Sequence, residues 1–164
     1  MAFQQTVNKE LAQAVAGDFA SMNPYSTVNA GESALVAGED GVKIGYFAWV
    51  DPETGKVTNR KPENAKIRGF VIRNQQGSIV EYLADSTMTI QRGCMVTLAN
   101  SGDFFVKIDG ATKEDVNKII YIDNVTGKPK IEYSDGFEIS GFKVAEVYEN
   151  GLVKITSNNI GLAN

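Results

Sequence analysis

The stretch FKVAEVYENGLVKITS, Phe142–Ser157, alternates apolar and polar side chains on both sides of Asn150-Gly151. Alternation with a period of two puts one set of side chains on one face of an extended chain, which is the mark of a half-buried strand. Asn-Gly takes up the left-handed backbone that a tight hairpin turn needs. Residues 142–157 are therefore expected to form a β-hairpin.

The same grammar extends toward the N-terminus. NKIIYID (117–123) reads as a strand, NVTGKPK (124–130) as a hairpin turn, and IEYS (131–134) as a strand pairing back onto it. FFVKID (104–109) and CMVTLA (94–99) flank a turn at NSGD (100–103), while MTIQ (88–91), IVEYLA (79–84) and IRGFVIR (67–73) are further strands. KIGYFAWV (43–50) is aromatic and β-branched, and DPETGK (51–56) after it is a turn with Pro at its second position. ATKEDVNK (111–118) allows one helical turn at most. About ten short strands at roughly 8–12-residue spacing, with no long amphipathic helix, predict an all-β fold, an antiparallel sandwich or barrel.

The first forty residues behave differently. NKELAQAV (8–15) has Asn8 as a possible N-cap and Leu11, Ala12 and Val15 at helical spacing, so a short helix near 8–16, ended by Gly17, is expected. GDFASMNPYSTVNAGESALVAGEDG (17–41) has neither helical nor strand period, yet it carries Phe19, Met22, Tyr25, Val28, Leu35 and Val36. Long structureless segments in compact domains are usually functional or linkers. The chain is accordingly divided into an irregular N-terminal arm (1–40) and a β-sandwich domain (41–164). The arm's apolar residues are expected either to pack on the sandwich or to meet a neighbouring chain.

Composition narrows the function. Hydrophobic residues make up 43 % and charged residues 22 % of the 164, which supports an ordinary core. Net charge is −4, and Lys and Arg are scattered apart from Asn59–Lys61, so the basic stripe of a nucleic-acid or anionic-membrane binder is missing. No run of apolar residues is long enough to span a bilayer, and the N-terminus lacks the pattern of a secretory leader. A lone cysteine, Cys94, forbids an internal disulfide and fits a reducing compartment.

The chain has no histidine, which removes the commonest general base, nucleophile partner and metal ligand. No phosphate-binding, nucleophile-elbow or dinucleotide motif occurs. The acidic pairs in GED (38–40) and KED (113–115) read as solvated turns rather than cation sites. Trp49 reads as a core or interface aromatic rather than a stacking platform. Phe104 and Phe105 point to opposite faces of one strand, and Cys94 reads as a small buried hydrophobe. No catalytic, cofactor or metal site is expected, and the profile is that of a binding or structural protein.

Three blocks carry a resemblance. They are Gly17-Asp18-Phe19-Ala20-Ser21 with Asn23-Pro24, then Leu35-Val36-Ala37-Gly38, Gly41-Val42, Gly45 and Phe47-Ala48-Trp49, and last Gly93 to Leu98 with Gly102-Asp103-Phe104-Phe105-Val106. In this order they resemble the structural cement, or decoration, proteins of tailed bacteriophage capsids, from about Phe3 to Val106. Tyr25 and Tyr46 stand where that family usually has arginine. The resemblance implies a jelly-roll-like antiparallel sandwich that binds the outside of an assembled capsid and bridges neighbouring major capsid subunits. It further implies a homodimer or homotrimer, assembly in the host bacterial cytoplasm, and neither catalysis nor cofactor. Expected partner-facing residues, toward the capsid or a second copy, are Phe19, Met22, Tyr25, Val28, Leu35, Val36, Tyr46 and Trp49. The alternative is a lectin-like sandwich for a small or carbohydrate ligand, with YIDN (121–124) and SGDFF (101–105) as its only candidate sites.

Overall fold

A computed structural model describes residues 14–29, 35–74 and 87–158. Its strands are β1 (Ser26–Thr27), β2 (Val36–Ala37), β3 (Val42–Lys43), β4 (Phe47–Val50), β5 (Lys56–Thr58), β6 (Arg68–Val71), β7 (Thr89–Ile90), β8 (Leu98–Ser101), β9 (Asp103–Lys107), β10 (Ile119–Asp123), β11 (Pro129–Lys130), β12 (Phe137–Val147) and β13 (Leu152–Thr156). They form a six-stranded sheet in the order β1-β8-β6-β4-β5-β2, a five-stranded sheet β11-β10-β12-β13-β9, and the small pair β3-β7. The protein is an all-β sandwich. Its pairings are antiparallel except β2 on β5, which is parallel.

The hairpin over 142–157 is present, with Val147 opposite Val153. Asn150 and Gly151 both have positive φ, 63° and 71°. Glu149 joins them, so the loop is one residue longer than Asn-Gly alone and closes where the Tyr148 N–H donates to Leu152 O at 2.8 Å. Among the described residues the helical content is two short 3₁₀ turns, Lys113–Asp115 and Glu149–Gly151. The helix expected near 8–16 falls mostly on residues 8–13, outside the described residues, and 14–16 are not helical. The strand expected over 79–84 also lies outside them.

The two sheets close on an aromatic core. Phe47, Trp49 and Phe70 of the six-stranded sheet meet Phe104, Ile120, Ile122, Phe142 and Ile155 of the five-stranded one. Phe70 and Phe104 have ring centroids 5.0 Å apart, and Phe47 and Phe70 5.4 Å. The six-stranded sheet is covered on its other face too. Ala48, Val71 and Leu98, each one position out of phase with the inward set, pack there with Leu35, Ala37, Val42, Ile44, Val57 and Val96. This double burial explains why FAWV and GFV run apolar without alternation.

Three local readings need correction. The strand returning on β10 is Pro129–Lys130, and the chain then leaves the sheet instead of pairing through IEYS, with Tyr133 packed edge-on to Tyr121 at 5.4 Å. NSGD is not a hairpin turn. β8 ends in one sheet and β9 begins in the other, and Gly102, with φ 132°, carries the chain across. Cys94 is exposed, because it sits in a surface turn whose N–H donates to Gln91 O at 3.0 Å.

Glu138 of β12 holds the sheets together at one end. It accepts from Trp49 Nε1 at 3.0 Å, Arg68 Nη1 at 2.7 Å and Lys61 Nζ at 2.6 Å, all three donors coming from the six-stranded sheet and its loops. Each sheet also contains one D-x-x-T-G-K hairpin, Asp51–Lys56 and Asp123–Lys128. In both, the Thr hydroxyl donates to the Asp carboxylate at 2.7 Å and the Gly N–H to the Asp carbonyl at 2.8 Å.

Candidate functional site

Residues 17–29 of the arm are strapped to the open edge of the sandwich. Gly17 N–H donates to Phe105 O at 2.8 Å, Phe105 N–H to Asp18 O at 2.9 Å and Ala20 N–H to Asp103 O at 2.9 Å. Phe19 thus bridges Phe104 and lengthens the five-stranded sheet past β9. Further on, β1 pairs with β8 and Val28 N–H donates to Leu98 O at 2.8 Å, which extends the other sheet. The strap therefore satisfies backbone groups on both edges, which would otherwise be free to pair with another chain.

Residues 21–25 cross from one sheet edge to the other above Gly102. This crossing is held by side chains. Ser21 Oγ and Asn23 Nδ2 donate to Asp103 Oδ2 at 2.6 and 2.7 Å, and the Ser26 hydroxyl pairs with Ser101 Oγ at 2.5 Å and with Asn100. Asp18 forms an ion pair with Arg73 at 3.0 Å. Burial pushes the Asp103 carboxyl up, but hydrogen bonds from Ser21, Thr156, Asn23 and Asn158 outweigh it and hold it below its usual range. With all four donors on it, this carboxylate has no spare lone pair directed at a substrate.

The residues expected to face a partner separate into groups. Phe19 and Tyr25 form one exposed cluster, 40 % and 55 % accessible, and Met22, 102 % accessible, stands on the loop between them. The Phe19 ring lies between Tyr25 at 4.8 Å and Phe104 at 5.3 Å, so the cluster grows out of the core. Val28 and Val36 are half-buried, and Val28 packs on the core behind the six-stranded sheet. Tyr46 lies apart from the cluster, half-buried, with Lys43 Nζ 5.6 Å from its ring centroid. Leu35 and Trp49 leave the surface altogether. At 7 % and 1 % exposure they are core residues of this chain, Leu35 behind the six-stranded sheet and Trp49 between the two sheets.

The contacts of Ser21 and Asn23 with Asp103 escaped the sequence reading, which named Asp103 only within stretches such as SGDFF. They span 80 and 82 residues of chain, and no local period signals them. The blocks GDFAS and GDFF do record the contact, since they are the two strands that meet.

The described residues thus form a two-sheet scaffold that displays exposed apolar side chains on a pinned loop, with its buried carboxylate saturated by donors. The model of the XM1 gp53 minor capsid protein family matches residues 3–157. The chain belongs to that family and is a phage capsid-associated structural protein of the virion. One solved chain, from "The capsid of Myoviridae Phage XM1", is 17 % identical and aligns over 98 % of this chain and 99 % of its own, with a TM-score of 0.67. That likeness shows a shared fold. No curated protein matches the chain.

Proposed function

We propose that this protein is a capsid cement protein. It sits on the outer surface of the shell, touches neighbouring major capsid subunits through its arm, and acts as a homodimer or homotrimer. The observation that carries this reading is the tip formed by Phe19, Met22 and Tyr25, apolar and exposed on a loop fastened at both ends. A preorganised apolar tip loses little conformational freedom on docking, so more of its burial energy appears as affinity. Membership of a minor capsid protein family supports shell components as its partners, and a structural family of this kind points to a role without catalysis.

A clamp that binds only the intact lattice stabilises it by mass action. An oligomeric clamp engages several subunits at once, so modest contacts multiply through effective concentration. Outward pressure from packaged DNA is what such clamps resist. The net charge of −4 argues against the DNA itself as the ligand.

The test is co-sedimentation with purified phage shells, comparing wild type with Met22→Asp and Tyr25→Ala. Burying one large apolar side chain contributes roughly 1.5–3 kcal/mol, or about 10–100-fold in affinity. Met22→Asp should keep the wild-type melting temperature to within a few degrees, because Met22 is fully in water, while Tyr25→Ala, which removes a ring contact with Phe19, should lower it slightly more. Loss of decoration by a folded Met22→Asp protein supports the contact, and wild-type decoration by it sinks the contact.

A further inference from the structure

We propose that Asp103 is the positioning residue of the contact loop, out of reach of any partner yet responsible for how Met22 is presented. The proposal rests on the reading of the Phe19–Met22–Tyr25 tip as the shell contact.

The Asp103 residue is 4 % exposed and stands at the first position of β9, just past the glycine that carries the chain between sheets. Its two carboxylate oxygens face different parts of the molecule. Oδ2 accepts from Ser21 Oγ at 2.6 Å and Asn23 Nδ2 at 2.7 Å. Oδ1 accepts from Thr156 Oγ1 at 2.5 Å, at the end of β13, and from Asn158 Nδ2 at 3.2 Å. One oxygen therefore holds the loop, and the other ties the carboxylate to the frame of the five-stranded sheet.

Ser21 and Asn23 are the residues on either side of Met22. The Met22 side chain is fully exposed, so its direction is set by the backbone of its flanks and by nothing it touches. Both flanks end on the same oxygen. A further bond, Asn23 N–H to Ser21 Oγ at 3.0 Å, folds the loop back on itself and depends on Ser21 being held. Charge-assisted hydrogen bonds of this kind are the stronger class. Without them the loop must be ordered on docking, and ordering one backbone residue weakens affinity by roughly 5–30-fold.

Because the two oxygens serve different segments, the positioning role separates from ordinary stability. Shell affinity is measured by co-sedimentation for wild type, Met22→Ala, the pair Ser21→Ala/Asn23→Ala, all three changes together, and Thr156→Val. The pair should bind about tenfold or more weaker than wild type, while amide hydrogen exchange rises in residues 21–25 and stays unchanged in the β12–β13 hairpin. Added to Met22→Ala, the pair should bring a smaller loss than it brings alone, since Met22 no longer remains for the clasp to present. Thr156→Val should lower the melting temperature and leave affinity within about twofold. Asn23→Ala alone, which keeps Ser21 in place, gives the same ordering in smaller measure should the pair fold poorly. Wild-type affinity in the pair, with Met22→Ala impaired, overturns the positioning role. Losses that multiply in the triple variant overturn it as well. Wild-type affinity in Met22→Ala removes the contact reading itself, and this proposal with it.

Discussion

Replacing Glu138 with alanine removes one acceptor from three donors at once, and their surroundings set the size of the loss. Trp49 is 1 % exposed, so its indole N–H is left buried without a partner, which costs about 1–3 kcal/mol. Lys61 and Arg68 are 34 % and 35 % exposed, and each ion pair contributes about 0–1 kcal/mol once screening by water is allowed for. Arg68 also keeps its bond from Nη2 to Ile139 O at 2.5 Å, which limits its share. The expected total is about 1–5 kcal/mol, centred near 3 kcal/mol. With a urea dependence of about 2 kcal/mol per molar, the unfolding midpoint should fall by about 1.5 M at unchanged slope. Glu138→Gln keeps an oxygen for the indole and loses only the charge, so it should fall about half as far. The gap between the Glu138→Gln variant and wild type should narrow in 1 M salt, where the screening length is about 3 Å. A wild-type midpoint for the alanine variant, or equal losses for both, refutes the inter-sheet clasp.

Two further outcomes follow from other parts of the fold. Gly127→Ala should destabilise by about 3 kcal/mol or more and Gly55→Ala by about 1–2 kcal/mol, by thermal unfolding. The glycines share a positive φ, 71° and 68°, but a Cβ at 127 would lie 2.1 Å from Phe47 O while one at 55 meets nothing within 4 Å, so equal losses contradict the docking of the second hairpin. Acid should weaken the fold through Asp103 and Glu138. Burial raises both carboxyls, but donors outweigh it and both lie below their usual range, so their contribution is whole above about pH 4 and disappears as pH falls below that. The urea midpoint should stay level from pH 7 to 5, drop below pH 4, and drop less in Asp103→Asn; a midpoint that rises on acidification contradicts the assignment.

Much of the sandwich was legible because its strands obey local rules. The β12–β13 hairpin follows from alternation and from Asn150-Gly151, and FAWV announces a buried strand through its continuous apolar run, although the KIGY before it holds the end of β3 and a turn at Gly45 and not one longer strand. Both D-x-x-T-G-K loops stand in the sequence, and their common hydrogen bonding could have been read from it. What stayed hidden depends on where the chain goes next. NSGD looks like any turn, and only the sheet partners of Ser101 and Asp103 reveal Gly102 as a crossing between layers. Leu35 looked like a partner residue because the second core behind the six-stranded sheet, which it helps to fill, has no signature of its own, while Trp49, read as a core or interface aromatic, lies in the core between the sheets. The arm was legible as apolar and irregular. Its regular backbone pairing with β9 and β8 was not, since Asp18–Ala20 and Ser26–Val28 borrow their order from strands far along the chain.

The most direct test of the central claim is a density map of the intact particle. This sandwich is expected on the outer surface of the shell, at junctions between major capsid subunits, with Met22 and Tyr25 turned toward them. Density for the protein on the inner surface, or on the outer surface with the Met22 loop facing solvent, contradicts the cement role.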